Sequence, residues 1–408
     1  MNNEDVVIVG AGVVGLTTAA ALSRAGRRVL LLDPLGPGEG TSYGNAGHFA
    51  TEQVFPLADP ALLPRLPGML LDPLGPFRIR LGYLLRALPW FGRFLLNMRA
   101  GARARNTEAL RRLNEAALAQ WGALLGEWGL ESHLVREGSL LVFERTDEAK
   151  VQRILAQYLS QGVAARYLDR AALRALEPAL SEAVQRGIWF TDTGHTPDPY
   201  ALSLGIWQRL REQGARHRAV SVAAIEPGGT VVLEGGERLV AREVILCAGA
   251  HSKVLAAGVG HRLPLDTERG YHLMLPGHSG LTRPVSSYER SFIITPMAGG
   301  TRLAGTVEFA GLAAPMDPRR ADILLTHGQA LLPGLEGKGA ERWMGYRPSL
   351  PDSLPVMGAA APGVWFNFGH QHLGLTQAAV SGAWLADAVL QGQSAPLAPF
   401  SPRRFTGP

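Results

Sequence analysis

The apolar residues of this chain fall into short unbroken runs near the N-terminus and into spaced stripes further on. Val6-Val7-Ile8-Val9 reads as a strand buried on both faces, residues 13–25 as an Ala- and Leu-rich helix, and Val29-Leu30-Leu31-Leu32 as a second buried strand. Such runs suit a parallel sheet covered by helices on both sides. Residues 36–48, rich in Gly, Ser, Thr and Asn, predict a loop. Residues 107–127 place Leu110, Leu113, Ala117 and Trp121 on one helical stripe. A strand is expected over 138–144, helices over 148–162 and 199–213, and a buried strand at Val244-Ile245-Leu246. Around 270–310 the pattern changes to strands about a Gly299-Gly300 turn, and 364–390 reads as strand, glycine loop, helix. This order predicts an α/β fold: a Rossmann-type parallel-sheet domain interleaved with an α+β domain.

Composition narrows the class. With 408 residues, 46% hydrophobic and 18% charged, the chain is globular and long enough for a sizeable core. The net charge of +5 comes from arginine, since Lys150, Lys253 and Lys338 are the only lysines. No reader motif accompanies that charge, so nucleic acid is not an expected partner. The single cysteine, Cys247, excludes an intramolecular disulfide and predicts a reducing, cytoplasmic compartment. The polar start Asn2-Asn3-Glu4-Asp5 does not read as a secretory signal, and no unbroken apolar run reaches ~18 residues. Gly-x-Ser-x-Gly is absent, so the usual hydrolase nucleophile is lacking. His370 and His372 have no third ligand at metal spacing, and no metal is expected.

Gly10-Ala11-Gly12-Val13-Val14-Gly15 lies between the first strand and the helix. The first glycine permits a tight turn, the second lets backbone approach a pyrophosphate, and the third lets helix and strand pack closely. The helix N-terminus then offers free N–H groups and a positive dipole end to phosphate. Asp33, followed by Pro34, closes the second strand where an acidic residue takes a ribose hydroxyl. A dinucleotide is therefore expected. The fingerprint occurs once, and by itself does not choose between NAD and FAD.

Thr41-Ser42-Tyr43-Gly44-Asn45-Ala46-Gly47-His48 resembles the segment that wraps the flavin in D-amino-acid dehydrogenases and glycine oxidases. Val220 and Val222 resemble the adenine-side strand, and Ala248-Gly249-Ala250-His251-Ser252 the second FAD contact. Glu268-Arg269-Gly270-Tyr271-His272 resembles the strand lining the substrate cavity. Gly345-Tyr346-Arg347-Pro348 and Pro351-Asp352-Ser353-Leu354-Pro355 resemble the late motif, and Gly369-His370-Gln371-His372-Leu373-Gly374-Leu375-Thr376 the flavin-capping turn. Spread in order over nearly the whole chain, these resemble the D-amino-acid dehydrogenase-like FAD-dependent oxidoreductases of the D-amino-acid oxidase and glycine oxidase superfamily. The resemblance implies FAD, held by Gly10, Gly12, Val13, Val14, Gly15, Asp33, Pro34, Thr41, Ser42, Asn45, Ala46, Gly47, His48, Val222, Ala248, Gly249, Gly369, His372, Leu373, Gly374, Leu375 and Thr376. It implies a glutathione-reductase-like FAD domain, expected over 1–50, 150–180, 195–262 and 343–408. The substrate domain is expected over 51–149, 181–194 and 263–342.

The implied activity is oxidative deamination of an amino acid, a D-amino acid first. Hydride passes from the α carbon to flavin N5, and the imine hydrolyses to a 2-oxo acid and ammonia. The resemblance places Arg347 over the flavin, where its two-pronged guanidinium matches a substrate carboxylate. Tyr271 and His272 are cavity-wall candidates of which only one should face the substrate, because neighbours on a strand alternate. His48 would orient ring or substrate, or tether the flavin, and Arg302 stands where sarcosine oxidases place a lysine that speeds oxygen reduction, which favours a dehydrogenase. Three readings stay open: an oxidase of glycine, sarcosine, proline, hydroxyproline or an opine; one subunit of a hetero-oligomer; and a non-catalytic FAD-binding subunit.

One segment points elsewhere. Residues 77–105 carry Arg78, Arg80, Arg86, Arg93, Arg99, Arg103 and Arg105, no acid, and the aromatics Phe77, Tyr83, Trp90, Phe91 and Phe94. Leu81, Leu84, Leu85 and Leu88 keep helical spacing up to Pro89, and Trp90, Phe94 and Met98 resume it. A basic amphipathic helix with aromatic anchors suits an anionic membrane. On that reading the protein sits at the inner face of the bacterial inner membrane and gives electrons to quinone. The competing expectation is a core-facing helix with solvated arginines.

Overall fold

The computed structural model describes residues 4–65, 68 and 72–405; Asn2 and Asn3 lie outside the described residues. Among the described residues the strands form two large sheets and a two-stranded ribbon. In the first sheet, five parallel strands run in the order Arg216–Arg218, Val29–Leu32, Glu4–Val9, Arg238–Leu246, Val364–Phe368. Val356–Ala361 closes one edge antiparallel, and the hairpin Val222–Glu226 with Thr230–Leu233 branches from the first half of Arg238–Leu246. The four apolar residues of Val29–Leu32 are all buried, as strands covered on both faces require.

Helices Val13–Arg24 and Gly374–Gln391 pack closely on this sheet. A Cβ at Gly382 would lie 2.9 Å from backbone of Thr17, so only glycine permits their approach. The segment Gln371–Gln391 has the length and apolarity of a membrane span, yet most of it is buried inside this core. Against it lies Ala100–Trp128, whose fully buried Trp121 donates through Nε1 to Leu375 O at 2.9 Å. That helix begins earlier than the expected residue 107, because the alanine-rich stretch after Arg99 continues the helix. It ends at Gly129 in the left-handed conformation, φ 65°.

The second sheet has nine strands, ordered Glu341–Ser349, Asp266–Leu275, Gly300–Phe309, Phe292–Met297, Val285–Ser287, Ser139–Phe143, Arg186–Phe190, Ala165–Leu168, with Phe77–Ile79 added beside Gly300–Phe309. Helix Arg319–Leu331 seals one face through Leu324 and Leu331. Asp147, Asp169 and Asp198 each accept backbone N–H bonds at a helix start, which fixes the entries to Glu148–Ser160, Arg170–Leu176 and Pro199–Glu212.

The pairing divides the chain differently from the expectation at three places. Helix Glu148–Ser160 packs Val151 and Leu155 on Phe143 and Phe190, and Ala165–Leu168 joins the second sheet, so 150–180 sides with the substrate body. Strand Glu341–Ser349 also belongs to that sheet. Helix Ala100–Trp128, expected with the substrate body, packs on the first one. Sequence continuity does not reveal these exchanges; they follow from which apolar faces meet.

Candidate active site

A cavity of about 1460 Å³ runs between the two bodies, from the fingerprint turn to the face of the second sheet. That exceeds the ~300–1,000 Å³ usual for one drug-sized ligand, leaving room for a dinucleotide and a small substrate together. At its first end Gly10 takes φ +109°, and a Cβ there would stand 2.5 Å from Cys247 O. Asp33 Oδ2 accepts from Ala11 N at 2.8 Å and Ser42 Oγ from Val13 N at 2.9 Å, so strand end, fingerprint and flavin loop are tied together. Cys247 borders this end, its thiol pushed up to about 12 by burial.

Most expected cofactor residues border the cavity: Gly10, Gly12, Val13, Val14, Asp33, Pro34, Thr41, Ser42, Asn45, Ala46, His48, Val222, Ala248, Gly249, Gly369, His372, Gly374 and Leu375. Four do not, and brace the walls instead. A Cβ at Gly15 would stand 2.0 Å from Gly10 O; Gly47, at φ +72°, accepts from Thr196 N. Leu373 is core, and Thr376 Oγ1 accepts from Ala50 N at 2.8 Å. Glu234, His251 and His370 also border the cavity; the two histidines fall inside motifs read from the sequence, whereas Glu234 carried no signal of its own. The donor set fits FAD. Backbone N–H groups and a helix start face the phosphate end, Gly374 and Leu375 open a second helix onto the cavity, and the flavin loop crosses between them.

At the other end stands Arg347, directly opposite Glu268 in the strand ladder and bordering the cavity. Its guanidinium lies over Gly270, where a Cβ would come within 2.4 Å of Cζ; glycine there makes its space. Burial lowers the Arg347 pKa, with the Glu268 carboxylate opposing the shift. Among the described residues its guanidinium has no hydrogen-bond partner. Glu268 is itself buried, accepts from Ser349 Oγ at 2.6 Å, and has its carboxyl pKa raised by burial. His372 faces the same space; desolvation first, then the Arg347 charge, brings it down to about 4.

The remaining expected catalytic residues separate. Tyr271 borders the cavity, but its hydroxyl is donated to buried Glu308 at 2.6 Å. His272 lies behind the flavin loop, Nδ1 2.9 Å from Gly44 O, and stacks on Trp343. Arg302 does not border the cavity either; it donates to Asn45 O at 2.5 Å and to Tyr43 O at 3.4 Å, and burial lowers it to about 10. His272 and Arg302 thus hold the loop rather than the substrate. The cause is strand alternation plus a bulge at Gly270/Tyr271, which no sequence period shows.

Helix Leu84–Asn97 covers this end and runs through Pro89 without a break. Trp90, Phe91 and Phe94 turn inward, ringed with Phe309, and Trp90 Nε1 donates to Ser349 O at 3.2 Å. The expectation that these aromatics anchor a membrane is therefore corrected: they border the cavity. Leu85 on the helix's outward face and Leu81 in the turn before it are 80% and 87% exposed. Arg80 is bonded to Glu308 and Arg103 to Asp59, while Arg86, Arg93, Arg99 and Arg105 are exposed.

Comparison with known proteins agrees with this geometry. Residues 5–388 match the family model described as DAO, FAD dependent oxidoreductase. The chain is 36% identical to a D-amino-acid oxidase of Bradyrhizobium diazoefficiens, covering 98% of each, and 32% identical to D-amino acid dehydrogenase 2 of Pseudomonas aeruginosa, covering 95% of each. Its fold superposes on glycine oxidase from Geobacillus kaustophilus with a TM-score of 0.76 at 22% identity over the full length of both. With L-proline dehydrogenase from P. horikoshii the TM-score is 0.75 at 17% identity, covering 99% of this chain and 98% of that one. A cradle that fits FAD, a family match over almost the entire chain and two relatives above 30% identity place this protein in the DAO family of FAD-dependent oxidoreductases.

Proposed function

We propose that the protein oxidatively deaminates an amino acid, a D-amino acid first, through an arginine-held carboxylate. One observation carries the reading: Arg347 is a desolvated guanidinium bordering the cavity with no hydrogen-bond partner among the described residues. The other buried arginines of this sheet are committed, Arg269 to Gly311, Ala314 and Pro315 carbonyls and Arg302 to the flavin loop. A substrate carboxylate would complete the bidentate pair that Arg347 lacks. Bound FAD supplies the two-electron acceptor. The chain's own part is to orient the α carbon, exclude water beneath Trp90 and Phe91, and shape the cleft. The α carbon loses hydride and the nitrogen a proton; water adding to the resulting imine releases a 2-oxo acid and ammonia. Anaerobic flavin bleaching against D- and L-amino acids, cyclic ones included, tests this. Bleaching by D-amino acids is expected; bleaching by none of the panel would overturn it.

We propose further that the outward face of helix Leu84–Asn97 rests on an anionic lipid surface, at the inner face of the bacterial inner membrane, where quinone takes the electrons. Exposed leucines interleaved with Arg86, Arg93 and Arg99 support this, and each arginine near such a surface adds ~1 kcal/mol. Flotation with anionic vesicles should be strong at low salt, weak at high salt, and reduced by Leu85→Ser. Trp90→Ala should instead cost about 3–5 kcal/mol of stability and leave vesicle binding unchanged. No flotation at low salt, or rapid peroxide formation with oxygen as sole acceptor, would overturn this part.

A further inference from the structure

Beside the flavin loop lie two buried groups with no use in the chemistry above. His48 pairs in the short ribbon with His195 and borders the cavity, while Glu52 follows on the same loop. His48 Nε2 and Glu52 Oε2 are 3.7 Å apart, and the two side chains are 7% and 4% exposed. Neither atom has a hydrogen-bond partner. A buried carboxyl oxygen and a buried ring nitrogen left without hydrogen bonds are costly. His48 borders the cavity with Glu52 behind it, an arrangement suited to accepting a proton.

Oxidation of an amino acid requires a neutral amine, and an amino acid arrives as its ammonium form. We propose that the His48 imidazole takes a proton from the substrate's α-ammonium group and that Glu52, 3.7 Å from its Nε2, balances the charge this creates. The ammonium N–H bond breaks, and its electron pair stays on nitrogen as the lone pair that later forms the C=N bond. The proton bonds to the imidazole, leaving imidazolium beside carboxylate. His48 is the catalytic residue; Glu52, which does not border the cavity, is a positioning residue acting through it. This inference rests on the deamination proposed above.

The surroundings set the pH window. Burial first, then the neighbouring His195, takes His48 down to about 3; burial takes Glu52 up to about 8. Facing Glu52 are Tyr158 of helix Glu148–Ser160, its hydroxyl pKa also raised by burial, and Gln53, whose amide donates to Oε1 at 3.4 Å. His195 is lowered to about 4 by burial and then by Arg283, and so is neutral. No arginine or lysine among the described residues acts on the pair. At neutral pH the pair is therefore neutral, with its one proton on Glu52, and is not an ion pair. Above about 8 Glu52 ionises and the pair gains the vacancy that the amine proton fills.

Glu52→Gln keeps the shape and removes the titration. For the FAD-loaded wild type, kcat/KM should rise with pH through a midpoint near 8. Just above that midpoint Glu52→Gln should be slower by about a hundredfold, and the deficit should shrink at still higher pH, where the substrate itself arrives as free amine. His48→Asn should behave alike. An independent reading needs no substrate: infrared spectra of the wild type should show a protonated-carboxyl C=O band that disappears near the same pH and is missing in Glu52→Gln. FAD absorbance and melting temperature verify that each variant is folded. A wild-type pH limb and rate retained in both variants, or a carboxyl band titrating near 8 that persists in Glu52→Gln, would overturn the proposal. Failure of the wild type itself to bleach with any amino acid would instead bring down the deamination reading, and this one with it.

Discussion

At the fingerprint end the cavity is walled with backbone: Ala11 N and Val13 N are already bonded to Asp33 and Ser42, and Gly10 and Gly15 let strand, turn and helix touch. At the substrate end it offers side chains. Arg347 and Glu268 come from adjacent strands of the second sheet, and His372 from the turn before the last helix. The first end is polar but satisfied. Among the described residues, the second keeps a guanidinium with no hydrogen bond and, at the loop edge, a ring nitrogen of His48 and a carboxyl oxygen of Glu52 with none. A satisfied cradle costs little and holds a ligand that stays. Unsatisfied groups cost stability and persist where a transient ligand completes them.

Substitutions at three positions sharpen or break that contrast. The largest effect is expected at Arg347. Arg347→Ala should lower kcat/KM by about 4 kcal/mol, the scale for one partner of a buried charge pair, while FAD content and melting temperature hold. Arg347→Lys should recover only part, because one ammonium cannot make two parallel bonds. Normal turnover in Arg347→Ala would move the clamp elsewhere and end the contrast. Gly10→Ala should cost about 3 kcal/mol of stability, from strain at φ +109° plus the clash with Cys247 O, and the protein should emerge without flavin. A yellow, stable Gly10→Ala would show that the cradle is not built as described. The smallest change belongs to Tyr271→Phe. Glu308 loses a donor but keeps Arg80, so stability should fall by about 1.5 kcal/mol with KM unchanged. A raised KM would return Tyr271 to the substrate wall.

The two ends also differ in how far the sequence exposes them. The cradle residues from Gly10 to Asp33 are local: a strand period, three glycines and an acid at fixed spacing suffice, and the structure puts them around the cavity. Arg347 was legible through a motif, and it does reach the cavity. His272 and Arg302 were not separable from Arg347 by sequence, because one bulge decides which side of the sheet each occupies. In residues 77–105 the pattern gave the helix and its two faces, but the aromatic face met Phe309 rather than lipid.

The sequence by itself determined the dinucleotide fold, its phosphate turn and the flavin loop, since each is encoded within a few dozen residues by backbone geometry that only certain residues allow. Tertiary structure alone decided which body claims helix Ala100–Trp128 and strand Ala165–Leu168, and that Arg302 braces the loop. It also decided that His48 Nε2 and Glu52 Oε2 face each other with no hydrogen bond among the described residues. Those outcomes depend on burial and on pairing between distant strands. Burial is a property of the packed chain, and no residue carries it along the sequence.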